Sequence, residues 1–222
     1  MIPFEPILAA AEARAGGAEA LAARLPVPKS ADELRAQPDD RYLSLMSLRV
    51  FSTGLKHSMV KAKWPVFEEV FMGFAPRRVR AMSDEALEAL MSDTRIIRHW
   101  GKIKSVRANA AIMCDIADQA GGFGAWLADW PGTRIVDLWA ELATRFSQLG
   151  GGSGPYFLRM AGKDTFVLTG DVVRGLNRYG GFDGTLKGKR DRARVQEVFN
   201  QWAAATGRPL SHLSMILALS AG

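Results

Sequence analysis

The segment LGGGSGPYFLRMAGKDTFVLTGDVVRGLNR, residues 149–178, decides how this chain is read. One helix ends at Gln148-Leu149, a glycine-rich turn follows, and Pro155 marks the opening of the next helix. Proline suits a first helical turn because the N–H it lacks would have no partner there. Glycines admit positive φ and let another molecule approach the backbone closely. The N–H groups that open the new helix then make an anion site sized for one backbone phosphate. A tight helix–helix connection without a ligand accounts for the same spacing. A further helix opens near Asp171, whose carboxylate complements the helix N-terminal partial charge.

Outward from this segment the periodicity is helical throughout. Trp139, Leu142, Ala143 and Phe146 recur at i, i+3, i+4 and i+7; Ile103, Val106, Ala110, Met113 and Ala117 keep one face, as do Val195, Val198, Phe199, Trp202 and Ala203. Ser83 opens a helix with Asp84, Glu85 and Glu88 behind it, and Gly121-Gly122 and Trp130-Pro131-Gly132 punctuate the pattern. The one strand-like run, Thr165 to Leu168, is too short to start a sheet. The fold class is therefore all-α. Residues 1–38 differ from the rest: Ala-rich, broken at Gly16-Gly17, ending in LPVPKSADELRAQPDD. They read as a helical extension and linker ahead of a main unit, 39–222. The run GFDGTLKGKRDRAR (181–194) reads either as a solvated charged face or as a nucleic-acid contact.

Composition bounds the function more loosely. The chain has 222 residues, 48% apolar and 23% charged, enough for a buried core. A lone Cys114 excludes a disulfide framework and a cysteine zinc cluster. No apolar run is long enough to predict a membrane span, and the N-terminal stretch lacks the basic start of a signal peptide, so a cytoplasmic location is expected. The net charge of +6 permits a polyanionic partner without demanding one.

Three motifs choose that partner. Gly152-Ser153-Gly154-Pro155-Tyr156 resembles the G-[VI]-G-P-Y hairpin (about 149–156 here) of the helix-hairpin-helix DNA glycosylases, and Thr169-Gly170-Asp171-Val172-Val173-Arg174 stands where that superfamily has D-x-[HN]-V-x-R. The stretch AMSDEALEALMSDTRIIRHWGKIKSVRANAAIM (81–113) is similar over its whole length to 3-methyladenine DNA glycosylase I, including Ile96, Ile97, Arg98, His99, Gly101, Lys102, Ile103 and Asn109-Ala110. Gly54-Leu55, Trp64-Pro65-Val66-Phe67 and Gly73-Phe74 resemble the segment that precedes this core. The resemblance implies a two-lobed helical fold with a cleft. It also implies a monomer without cofactor, associated with the nucleoid, that takes duplex DNA containing damaged bases. Such an enzyme flips an alkylated purine and hydrolyses its N-glycosidic bond in base excision repair.

The same resemblance distributes roles. Asp171 is the candidate catalytic carboxylate, since Thr169 occupies the superfamily's usual aspartate slot. Arg49 stands where the 3-methyladenine enzymes carry a base-binding glutamate, and it offers only donors. His57, Tyr42 and Phe51 join it as base-pocket candidates, the two aromatics also suiting a core. Gly152, Gly154, Tyr156 and Lys163 are candidates for the DNA backbone. The Schiff-base lysine of bifunctional relatives falls at the position of Pro155, which implies a monofunctional hydrolase. His57, His99 and His212 lack metal-ligand spacing, so no zinc site is expected. Lys102, Lys104 and Arg107 share one helix and read at least partly as solvated charge, and Trp64, Trp126, Trp130 and Trp139 as packing residues. The alternative is a DNA-binding or damage-sensing protein on the same scaffold; a helical protein-interaction module is a third class.

Overall fold

The computed structural model describes residues 3–186 and 188–221; Met1 and Ile2 of the N-terminal stretch, Lys187 of the basic run, and Gly222 lie outside the described residues. Among the described residues every regular element is helical. In chain order these are α1 (Glu5–Ala15), α2 (Ala18–Ala22), α3 (Ala31–Ala36), α4 (Asp39–Ser52), α5 (His57–Val70), α6 (Pro76–Arg80), α7 (Asp84–Ala89), α8 (Trp100–Ala120), α9 (Phe123–Asp129), α10 (Ile135–Arg145), α11 (Ser153–Ala161), α12 (Gly170–Tyr179), α13 (Lys189–Thr206) and α14 (Leu210–Ala221). The contacts divide the chain into two units. The first comprises 1–28, 131–138 and 162–222; the second comprises 29–130 and 139–161.

In the second unit, α4 and α8 form the spine: α8 packs against α4, α6 and α9, and α4 against α5 and α11. The expected linker before residue 39 is in fact part of this unit. Ser30 builds a capping box with Glu33, each side chain meeting the other's backbone N–H at 3.1 and 2.8 Å, and α3 then packs on α9. The stretch looked like a linker because its polar residues serve the helix terminus. Phe51 meets Phe67 at 4.5 Å, and Trp64 stacks on both Phe67 and Phe74, closing an aromatic core.

Tyr42 is wholly buried, edge-on to Phe123 at 5.3 Å, with its hydroxyl donating to the Leu34 carbonyl at 2.7 Å. Burial, with nearby Asp39, pushes its pKa up to about 12 from the ordinary 10. The unfolded chain therefore loses this proton first. The stabilisation is complete below about pH 10 and is lost as pH rises towards 12. Denaturant unfolding on either side of pH 10 should show a larger alkaline loss for the wild type than for Tyr42→Phe; equal losses would remove Tyr42 as the source.

In the first unit, α14 is central, packed against α1, α12 and α13. Ile7 and Ala11, one turn apart, are fully buried, and Arg14 donates to the Leu219 carbonyl at 3.1 Å, so the N-terminal helix belongs with the C-terminal ones. The Thr165–Leu168 run carries no regular secondary structure, and Val167 N–H donates to the Ser214 hydroxyl. Asp164 accepts from the N–H groups of Leu210 and Ser211 at 2.8 and 2.9 Å, satisfying the open end of α14. No described helix is long and apolar enough to cross a membrane.

Candidate base pocket and DNA-facing hairpin

The hairpin lies between α10 and α11. Asn109 on α8 holds its approach, donating to the Ser147 carbonyl at 3.1 Å and accepting from Ser147 N–H at 2.8 Å. The chain then turns through Gln148 at φ 67° and Gly151 at φ 60°, a left-handed conformation in which glycine bears no Cβ strain. Helix α11 begins at Ser153, two residues before the proline that was expected to open it, because proline's missing N–H is tolerated throughout a first turn.

This earlier start changes which donors are free. Gly154 is buried and its N–H donates to the Leu149 carbonyl at 3.1 Å, so it is not a phosphate contact. Gly152 remains exposed at the tip. Lys163, expected at the DNA backbone, is only 7% exposed and is correspondingly a buried group of the first unit. Tyr156 is 38% exposed, and its ring carries the Arg49 guanidinium at 4.5 Å.

Arg49 sits in the last turn of α4, and burial pulls its pKa below the ordinary arginine range, with Tyr156 opposing. Its Nε is sealed from solvent and has no hydrogen-bond partner among the described residues. Lys102 of α8 is 9% exposed and donates to the Phe51 and Thr53 carbonyls at 3.2 and 2.7 Å. An ammonium there answers the orphan carbonyls and negative end of α4. Burial lowers its pKa, and Arg49 adds to that. The sequence pattern left Lys102 among solvated charges. Its helical position, one residue before Ile103 on the buried stripe, was the available signal.

The other pocket candidates separate. Tyr42 and Phe51 are fully buried in the core, where neither ring can stack on an incoming base; the aromatics at helical spacing fill the core because that is where their area is removed from water. His57 is exposed at the start of α5, its Nδ1 3.0 Å from the Ser52 hydroxyl. His99 caps α8, accepting from Lys102 N–H, and His212 meets the Pro26 carbonyl at 2.8 Å. Asp171 lies in the first unit, in the first turn of α12, half exposed and paired with Arg174. Thr169 is the cap of that helix, accepting from Val172 N–H at 3.2 Å. Beside the hairpin, a groove of about 760 Å³ is lined by Arg80, Lys104, Arg107, Ser147 and Gln148 among others. Arg80 and Arg107 are paired with Asp115 and Asp84, while Lys104 lies over the Trp100 ring at 5.0 Å.

Several solved structures share this helical arrangement. A mutant of 3-methyladenine DNA glycosylase I from Staphylococcus aureus is 23% identical, over 57% of this chain and 80% of that one, with a TM-score of 0.50. A crystal structure of 3-methyladenine DNA glycosylase I is 22% identical over 62% and 82%, at 0.51. A solution structure of 3-methyladenine DNA glycosylase I is 21% identical over 65% and 84%, at 0.50. At these identities the likeness is one of fold. No curated protein sequence matches the chain. The methyladenine glycosylase profile matches residues 34–147, just over half of the chain and all of α4 to α10. This chain belongs to the methyladenine glycosylase family.

Proposed function

We propose that the protein is a monofunctional DNA glycosylase that excises an N-alkylated purine from duplex DNA. The observation that carries this reading is the family match over 34–147. In the proposed reaction the damaged nucleotide leaves the stack, at lower cost than a sound one. A water oxygen bonds to C1′ as the C1′–N bond breaks. The bonding pair leaves with the alkylated base and cancels its positive charge, and the water's proton passes to the Asp171 carboxylate. A cationic alkylpurine is already a good leaving group, so a positioned water and one carboxylate suffice. The exposed N–H of Gly152 takes a backbone phosphate, and the basic groove beside the hairpin continues that surface. The protein acts as a monomer in this scheme.

The test is release of free base from methylated duplex by the wild type and by Asp171→Asn. Release above the uncatalysed rate is expected for the wild type, with the variant about a hundredfold slower. Unchanged release by the variant removes Asp171 from the reaction and leaves the glycosylase reading standing. Salt-sensitive binding of the duplex without any release would favour a damage-sensing protein instead.

A further inference from the structure

The guanidinium of Arg49 is half-buried and meets no carboxylate among the described residues. It lies over the Tyr156 ring, its central carbon 4.5 Å from the ring centroid. Among the described residues it forms no ion pair or side-chain hydrogen bond, although nine other arginines are paired with carboxylates. Its Nε is sealed from solvent without a partner, and its Nη groups donate to no described residue. A buried donor without a partner is costly and uncommon in folded proteins. Lys102, a second buried cation, lies close enough to feel Arg49, and its own donors are taken by the Phe51 and Thr53 carbonyls. Among the described residues neither cation is paired with a carboxylate.

We propose that Arg49 is the residue that sets lesion choice, its Nη donors pairing with the exocyclic oxygen of a 6-oxopurine and turning away a 6-aminopurine. An arginine fork matches the O6 edge of a guanine-type base, whereas an exocyclic amino group would bring donor against donor. A site built around such donors rejects a base that leaves them unpaired. The half-buried setting, with an aromatic face already beneath the guanidinium, suits a base edge better than a phosphate, which the open hairpin tip serves.

This inference rests on the glycosylase reading and narrows its substrate. One methylated duplex carries both 7-methylguanine, with an O6 acceptor, and 3-methyladenine, with an amino group. The experiment measures the fraction of each released per unit time above the uncatalysed rate, by the wild type, Arg49→Glu and Arg49→Gln, with circular dichroism confirming that each is folded. The wild type should favour 7-methylguanine by about fivefold or more, Arg49→Gln should bring the ratio towards one, and Arg49→Glu should reverse it. A wild type that favours 3-methyladenine overturns the proposal while leaving the enzyme in place. A fall in both rates at constant ratio also overturns it, and would make Arg49 a phosphate contact. Release of neither base by the wild type sinks the glycosylase reading itself, and this inference with it.

Discussion

Gly124→Ala should destabilise the protein by about 3 kcal/mol or more, lowering Tm by roughly 10 °C in a domain of this size. Gly124 is buried in α9, where the helix runs against the end of α3. A Cβ there would stand 2.2 Å from the Leu34 carbonyl oxygen and 3.1 Å from the Tyr42 ring. The obstacle is backbone, and it cannot move freely, because the Leu34 carbonyl accepts the Tyr42 hydroxyl at 2.7 Å. Shifting it either breaks that buried bond or displaces α4, which carries Arg49. The loss should therefore appear in both unfolding and base release. Gly132→Ala is the control: its Cβ would meet nothing within 4 Å, and a change within about half a kcal/mol is expected. Denaturant unfolding followed by far-UV circular dichroism reads both, and equal stabilities would refute the close approach of α9 and α3.

Trp202→Ala should cost about 4 kcal/mol, the upper part of the range for aromatic deletion from a core. Trp202 is 1% exposed on α13, with Phe4 at 5.3 Å and Phe199 edge-on at 5.5 Å. Phe199 in turn stacks on Phe166 at 4.2 Å. The indole thus ties the start of the chain to the C-terminal helices of the first unit. The cavity would sit beneath α13 and loosen α14, against which α12 and its Asp171 pack. Trp202→Phe should recover more than half of the loss. A cost below about 1 kcal/mol for the alanine variant would mean that this cluster does not hold the unit together.

Much of the helical content was readable because helical spacing is a local property. The stripes through Ile103, Val106, Ala110 and Met113, and through Val195, Phe199 and Trp202, are buried as their periodicity requires. The site was less readable. Tyr42 and Phe51 looked equally fit for stacking on a base and for filling a core, and only their burial separates the two. Lys102 and Lys163 looked like surface charge until the fold enclosed them. Gly154 lost its assigned role through a single bond to Leu149, which depends on where α11 starts.

The amino-acid sequence by itself determined that the chain is helical, where its glycine turn falls, and which family it belongs to. Those properties rest on residues within a turn or two of one another and on matched order along the chain. The tertiary structure alone decided which donors remain free. Lys102 reaches carbonyls 51 and 49 residues away, and Arg49 finds Tyr156 across the packing of α4 on α11. Such partners follow from how helices pack, since the desolvation of a charge depends on everything that surrounds it and not on its neighbours in sequence.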